Sequence, residues 1–150
     1  MERKEVIKGG SGKMINKPIS SHALYTTPWY TFVYVDIDKP YKTIKYDNEW
    51  KGIYRGIQQL TEFNIDIRPS SHGNTHMRVY RKDGNLINFV DSMKIRALLH
   101  DDPYRFEYDW IRNYYEGIGE TNRIFSMKIT KDNICKAGAW IPLKQYLESD

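Results

Sequence analysis

The chain has 150 residues, of which 40% are hydrophobic, 28% charged and 14% aromatic, and its formal net charge is +4. This composition is ordinary for a globular protein, and the length suits one domain with a sizeable core. The apolar runs are too short to span a bilayer, the residues after Met1 lack the apolar core of a signal peptide, and the lone Cys135 excludes an internal disulfide or a cysteine-built zinc site. We therefore expect a cytoplasmic protein with no membrane partner, and the basic charge weakly favours a polyanionic partner.

The first 28 residues are polar and contain Gly9-Gly10-Ser11-Gly12, with prolines at Pro18 and Pro28. Glycine-rich polar segments are typical of flexible linkers. We predict a flexible N-terminal arm over residues 1–28 and a single α+β domain over residues 29–150.

The segment 31–38 alternates in polarity as a half-buried strand does. Successive side chains of a strand point to opposite faces, so the core-facing set is Val33, Val35 and Ile37, and the other set is Tyr34, Asp36 and Asp38. Two carboxylates on one face of a strand stand close enough to bind one divalent cation through oxygen ligands. Asp36 and Asp38 are therefore the candidate metal ligands.

The segments that follow predict helices and strands in turn. Helical spacing of apolar residues indicates a helix from about 49 to 63, in which Gly52 and Gly56 would allow close packing on a sheet. Alternation indicates strands over 64–68 and 75–80, and Asp83-Gly84 suggests a hairpin into a strand over 86–89. Residues 92–116 predict two helices divided at Pro103 and capped by Asp101 and Asp102, and strands follow over 123–130 and within 139–143.

This order of elements is that of a ferredoxin-like or RNA-recognition-motif-like (RRM-like) split β-α-β fold. In that α+β fold the first strand is central, between the third and the last, and the helices cover one face of the sheet. We expect Phe125, Met127 and Ile129 of the last long strand to point inward. The polar residues expected to converge on the opposite, open face are Asp36, Asp38, Arg68, His76, Arg78, Tyr80, Ser126 and Lys128.

Two short motifs carry a family resemblance over roughly residues 30–130. Val35-Asp36-Ile37-Asp38 alternates hydrophobic and acidic residues, and the segment from Ser70 to Val79 has small residues and a glycine turn before a histidine on a strand. These features resemble the first and second motifs of the archaeo-eukaryotic primase superfamily. His76 matches the family histidine because it lies on the predicted strand, and His72 is the rival under a shorter reading of the motif.

The resemblance implies a nucleotidyltransferase of the primase or polymerase type, acting in replication or repair. It implies Mg²⁺ or Mn²⁺ held by Asp36 and Asp38, and His76 beside the phosphates of a nucleoside triphosphate. The further phosphate contacts would be Ser70, Ser71, Arg78 and Lys128. Nucleic acid, single-stranded or as primer and template, would be the macromolecular partner, together with a replication helicase. The family also carries a third acid on the last strand of the motif, and Ser126 occupies that place in this sequence.

Two other functions fit the same predicted topology. A catalytically inactive nucleic-acid-binding module would use Tyr34, Tyr80, Arg68, Arg78 and Lys128 to stack bases and hold phosphates. A replication-initiator nuclease would use Tyr114 or Tyr115 as its nucleophile, but it needs a His-hydrophobic-His pair where Asp36-Ile37-Asp38 stands. An acidic pair can also simply be bridged by a nearby Arg78 or Lys128.

Overall fold

The protein is a mixed α+β structure, as the alternating and helical periods predict. The computed structural model describes residues 28–116, 121–129 and 131–149, without the side chains of 114–116, and apart from Pro28 the predicted N-terminal arm lies outside these ranges. The strands are β1 Trp29–Tyr30, β2 Val33–Pro40, β3 Phe63–Pro69, β4 Asn74–Arg81, β5 Ile87–Asn88, β6 Met127–Ile129, β7 Ile134–Lys136 and β8 Ile141–Pro142. The helices are α1 Trp50–Gln59, α2 Phe89–Leu98, α3 Pro103–Glu116 and α4 Leu143–Glu148, and a 3-10 turn covers Ile44–Tyr46. In the described ranges, every helix is too short or too polar to cross a membrane.

The main sheet has four strands in the order β2-β4-β3-β8, and each neighbouring pair is antiparallel. Strands β2 and β3 are therefore parallel, and α1 connects them past β4. Two smaller antiparallel sheets pair β1 with β5 and β6 with β7. β4 has a strand on each side, whereas β2 lies at the edge of the described sheet.

The core lies on the sheet face that the apolar positions of β2 predict. Val33, Val35 and Ile37 are 0%, 0% and 2% exposed. They belong to one buried cluster with residues of β3, β4, α1 and α2, among them Ile67, Met77, Val79, Ile53 and Ile95. Burial of these side chains is the main favourable contribution to folding, at about 25 cal/mol for each Å² of apolar surface. The inward and outward assignments made for β2, β3 and β4 are confirmed.

The free edge of β2 is closed by side chains instead of a strand. Asp36 N–H donates to Asp101 Oδ1 over 2.7 Å, and Tyr34 N–H donates to Asn122 Oδ1 over 2.7 Å. Arg105 Nη1 donates to the Tyr34 carbonyl over 3.0 Å. An edge strand with unpaired backbone groups is open to pairing with other chains, and these contacts occupy those groups.

A buried ion-pair network holds the side chains that close this edge. Arg96 and the Asp101 carboxylate are both 0% exposed, and Arg96 Nε lies 2.7 Å from Asp101 Oδ2. Arg96 Nη1 donates to Asp109 Oδ2 over 2.8 Å, and Arg105 Nη1 lies 2.9 Å from Asp101 Oδ2. Asn122 N–H also donates to Asp109 Oδ2, over 2.9 Å. The network joins the connection between α2 and α3 to the edge of β2.

The polar face of the sheet is covered, and the expectation of an open face is wrong for its middle part. Asp66, Arg68 and His76 are 7%, 8% and 4% exposed. The guanidinium groups of Arg68 and Arg78 lie over the Trp140 ring, 4.3 and 4.7 Å from its centroid. Planar guanidinium groups stack well on aromatic faces, so the residues before β8 fold back over the arginines.

The predicted last strand does not join β2, which corrects its place in the sheet. Of the described residues 123–129, only Met127–Ile129 form a strand, and its partner is β7. Phe125 and Ile129, expected to point inward, are 74% and 70% exposed. The segment with this apolar alternation lies in an exposed hairpin. It does not pair with β2, whose edge is closed by Asp101, Arg105 and Asn122.

The hairpin expected at Asp83-Gly84 is also wrong. Ile87 pairs with Tyr30 and not with β4, and Phe89 begins α2. Asn88 caps this helix, because its side chain accepts a hydrogen bond from Asp91 N–H over 2.7 Å. The helix α4 was not predicted; it follows β8 and buries Leu143 and Tyr146.

Gly56 allows close packing, but against a helix and not against the sheet. A Cβ at Gly56 would lie 2.2 Å from the Leu98 carbonyl oxygen of α2, and one at Gly52 would lie 2.8 Å from the His100 ring. A side chain at position 56 would therefore push α1 away from α2. The two glycines allow close packing as predicted, but they pack against Leu98 and His100 and not against the sheet.

We expect Asp101→Asn to lower the free energy of unfolding by about 3 kcal/mol, because it leaves the buried Arg96 without a full counter-charge. The substitution keeps the side-chain shape, so the loss reports charge and not volume. Chemical denaturation measures it. The control is Asp91→Asn, an exposed acid of α2 outside the network, which should leave the midpoint unchanged; equal midpoints for the two variants would contradict the network's role.

Candidate functional site

A cleft of about 750 Å³ opens beside the carboxyl-terminal half of β2 and brings most of the predicted site residues together. We call it the acidic cleft. The predicted residues that line it are Asp36, Asp38, Ser70, Ser71, His72, His76 and Lys128. They come from β2, the turn before β4, β4 itself and β6, so the convergence depends on the fold and not on closeness in sequence.

Asp36 and His76 face each other across two neighbouring strands. The register of β2 and β4 places Asp36 directly opposite His76, and Nε2 of the imidazole lies 3.8 Å from Asp36 Oδ1. Directly opposite side chains on one face of an antiparallel pair are in contact range. The predicted closeness of the first-strand acid and the third-strand histidine is therefore found in the structure.

His76 is neutral at physiological pH. Burial lowers the pKa of its imidazole to about 4, and the nearby positive charges of Arg68 and Arg105 act in the same direction. Arg68 Nε donates a hydrogen bond to His76 Nδ1 over 3.1 Å. The His76 side chain can therefore form a hydrogen bond with a ligand but carries no positive charge.

Asp36 lies among other acids. Burial raises the pKa of its carboxyl group; Arg105 opposes that shift, and the charges of Asp101, Asp102 and Asp38 add to it. A carboxyl group in such surroundings gains from a cation placed beside it. The electrostatics therefore favour a positively charged ligand at this point of the cleft.

The turn before β4 supplies the polar floor of the cleft. Ser70 Oγ accepts hydrogen bonds from His72 N–H over 3.2 Å and Asn74 N–H over 3.0 Å. Gly73 has φ of +88°, which glycine adopts without strain, and Asn74 Nδ2 donates to Asp38 Oδ1 over 2.9 Å. The turn thus orients Asp38, and part of the role of Ser70 is to hold the turn itself.

The exposed hairpin of β6 and β7 forms the opposite wall. Lys128 lines the cleft from β6 together with Phe125, Met127 and Ile129. Lys128 is exposed, so its ammonium group can reach an anionic ligand in the cleft. The wall combines positive charge with exposed apolar surface.

Two predicted residues lie outside the acidic cleft. Arg78 Nε donates to Asp66 Oδ2 over 2.8 Å, and its guanidinium group lies between Phe32 and Trp140, 4.8 and 4.7 Å from the two ring centroids. Ser126 lines a separate pocket of about 300 Å³ beside Trp140. Arg78 is therefore paired with Asp66 outside the cleft, and Ser126 does not stand beside β2.

The charged residues of the cleft that sequence reasoning missed are Asp102, Arg105 and Arg123. Asp102 N–H donates to the Asp36 carbonyl over 2.7 Å, and its carboxylate accepts from Tyr104 N–H over 3.0 Å. The predicted capping role of Asp102 is confirmed, but the cap also lines the cleft. No local signal in the sequence separates a cap from a cleft residue; the position of α3 against β2 decides it.

The donor set of the cleft fits a magnesium-like ion only in part. In the described part of the chain, no group of three or more His, Cys, Asp or Glu side chains is arranged to hold a metal ion. Asp36 and Asp38 remain as hard oxygen donors, and Mg²⁺ is commonly held by one or two carboxylates together with waters and substrate phosphates. The site therefore suits a cation that arrives with a phosphorylated ligand better than a tightly held resident ion.

The buried neutral His76 makes stability depend on pH. Its pKa is about 4 in the folded protein against about 6.5 in the unfolded chain, so the unfolded state binds more protons between these values. The free energy of unfolding is therefore highest above pH 6.5 and falls by about 3 kcal/mol as the pH is lowered to about 4.

Denaturation curves of the protein and of His76→Asn, measured from pH 7.5 to 4, check this expectation. Asparagine can accept the Arg68 hydrogen bond but does not titrate, so the stability difference between the two proteins should shift toward the variant as the pH falls. A difference that stays constant over this range would contradict the neutral, buried state of His76.

Comparison with models of protein families, with curated proteins and with solved structures finds no match to this chain.

Proposed function

We propose that the acidic cleft binds a nucleoside triphosphate together with Mg²⁺ or Mn²⁺, and that the protein is a primase- or polymerase-like nucleotidyltransferase acting in replication or repair. The observation that carries the proposal is the convergence of Asp36, Asp38 and His76 with Ser71 and Lys128 in one cleft. The order of β2, α1, β3 and β4, with β4 between two parallel strands, also supports the ferredoxin-like arrangement expected for the archaeo-eukaryotic primase superfamily. We place the protein in the cytoplasm, where a free Cys135 stays reduced.

The acidic residues of the cleft would bind the cation of such a ligand, and its neutral and basic residues would bind the phosphates. Asp36 and Asp38 would hold the cation, which when bound neutralises phosphate oxygens and activates the attacking hydroxyl group. His76 donates a hydrogen bond to a phosphate oxygen, and Ser71 lines the same cleft. Lys128 supplies positive charge from the opposite wall and holds the outer phosphates.

Asp102 is our candidate for the third acid of the site. The family carries an acid where this sequence has Ser126. Asp102 would act in its stead, since it lines the cleft and its charge acts on Asp36. Its contribution would be electrostatic attraction toward the cation, because the described acids do not form a three-ligand group.

The alternative of an inactive nucleic-acid-binding module has less support. Its contacts would come from Tyr34, Tyr80, Arg68, Arg78 and Lys128. Arg68 is buried and Arg78 is paired with Asp66, and the rings of Tyr34 and Tyr80 lie 6.2 Å from Trp140 and 5.3 Å from Phe32. A base therefore has no free stacking platform among them. For the initiator nuclease, the side chains of Tyr114 and Tyr115 lie outside the described residues.

The test is nucleotide binding by the variant that combines Asp36→Asn with Asp38→Asn. We expect the protein to bind a nucleoside triphosphate in the presence of Mn²⁺ and to lose more than about tenfold in affinity in this variant, because a neutral amide oxygen binds a divalent cation much more weakly than a charged carboxylate does. Isothermal titration calorimetry measures the affinity, with and without chelator.

A charge-matched control combines Asp83→Asn with Asp91→Asn, two exposed acids outside the cleft. This control should bind the nucleotide as the unmodified protein does. Equal affinity in the cleft variant and the control would contradict the proposal. Binding of single-stranded nucleic acid that ignores chelator, without nucleotide binding, would instead favour the inactive module.

A further inference from the structure

We propose that Arg68 is a positioning residue that fixes His76 as the tautomer with its proton on Nε2, so that His76 meets a ligand in the acidic cleft as a hydrogen-bond donor. Arg68 was expected to lie on an open face and to contact nucleic acid. The structure places it behind the imidazole, on the side away from the cleft acids. The identity of the ligand rests on the proposed function, whereas the tautomer does not.

The tautomer follows from the direction of one hydrogen bond. Arg68 Nε lies 3.1 Å from His76 Nδ1 and donates to it. A guanidinium group has N–H donors and no acceptor, so Nδ1 must offer its lone pair. A neutral imidazole carries a single proton, which therefore sits on Nε2.

Arg68 itself is held rigidly. It is 8% exposed, its guanidinium group lies 4.3 Å from the centroid of the Trp140 ring, and Nη2 donates to the Phe125 carbonyl over 3.4 Å. Among the residues that the structure describes, no carboxylate forms an ion pair with it. The imidazole nitrogen is thus its nearest polar side-chain partner, and the stacking on Trp140 prevents the donor from turning away.

The fixed proton determines what His76 can do. Nε2–H faces Asp36 Oδ1 at 3.8 Å, which is longer than a hydrogen bond and leaves the donor available. The atom that His76 recognises must be an acceptor, such as a phosphate oxygen. With its proton on Nε2, the ring has no lone pair toward the cleft, so it serves neither as a metal ligand nor as a proton acceptor there.

The test separates the donor of Arg68 from its charge. Arg68→Gln places an amide N–H where Nε stood and removes the charge, whereas Arg68→Met keeps the length and removes the donor. Arg78→Gln is the matched control, because Arg78 stacks on the same indole but pairs with Asp66 and not with His76. Long-range ¹H–¹⁵N NMR correlations at pH 7 report the tautomer, and His76→Asn assigns the signal.

We expect Nε2–H in the unmodified protein, in Arg68→Gln and in Arg78→Gln, and a mixture of both tautomers in Arg68→Met. A proton on Nδ1 in the unmodified protein would overturn the inference, and this outcome does not depend on whether the Arg68 variants fold. An unchanged tautomer in a folded Arg68→Met would overturn it as well.

Nucleotide binding is the second readout. We expect Arg68→Met to bind a nucleoside triphosphate about tenfold more weakly, with Arg68→Gln closer to the unmodified protein; the magnitude is taken from the loss seen when the hydrogen-bond partner of a metal-bound histidine is removed. Equal affinity for Arg68→Met and the unmodified protein would overturn the positioning role. If the unmodified protein binds no nucleotide, the proposed function fails, and the tautomer measurement alone decides the present inference.

Discussion

The buried ion pair between Arg96 and Asp101 is the interaction on which the rest of the structure depends. A buried charge is costly unless it is paired and hydrogen-bonded, and the Asp101 carboxylate accepts from Arg96, from Arg105 and from the backbone of Asp36. These contacts join α2, the start of α3 and the edge of β2. Side chains thereby take the place of a further strand at the edge of β2. The next residues of β2 remain free to line the cleft.

The same connection between α2 and α3 also sets the electrostatics of the cleft. Asp102 and Arg105 reach the cleft because Asp101 anchors the residues around them. Burial and neighbouring acids raise the pKa of Asp36, while burial and neighbouring arginines lower the pKa of His76. Both shifts disfavour the charged form of the side chain in the free protein. A cation bound with a phosphorylated ligand would favour the charged carboxylate of Asp36 and so lower its pKa. Stability and ligand binding therefore draw on the same set of charges.

Alternation in the sequence was sufficient to predict β2, β3 and β4, their buried faces and the meeting of Asp36 with His76, because each of these strands has one face in the core. It failed over 123–130, where the same alternation occurs in an exposed hairpin and the period alone does not reveal the partner. The position of Asp101 before Pro103 predicts a cap, but its carboxylate pairs with Arg96 and Arg105, and no local pattern indicates these ion pairs. Burial of Arg68 depended on Trp140, which is 72 residues away in sequence, and no local pattern indicates that contact.

The most direct test of a cation and nucleotide site in the acidic cleft is a crystal structure of the protein soaked with Mn²⁺ and a nucleoside triphosphate. The anomalous signal of manganese locates the ion without reference to any chemical assumption. We predict a manganese peak within bonding distance of the Asp36 and Asp38 carboxylates, with a phosphate oxygen accepting from His76 Nε2. Nucleotide density elsewhere on the protein, or manganese bound away from these two acids, would contradict the account.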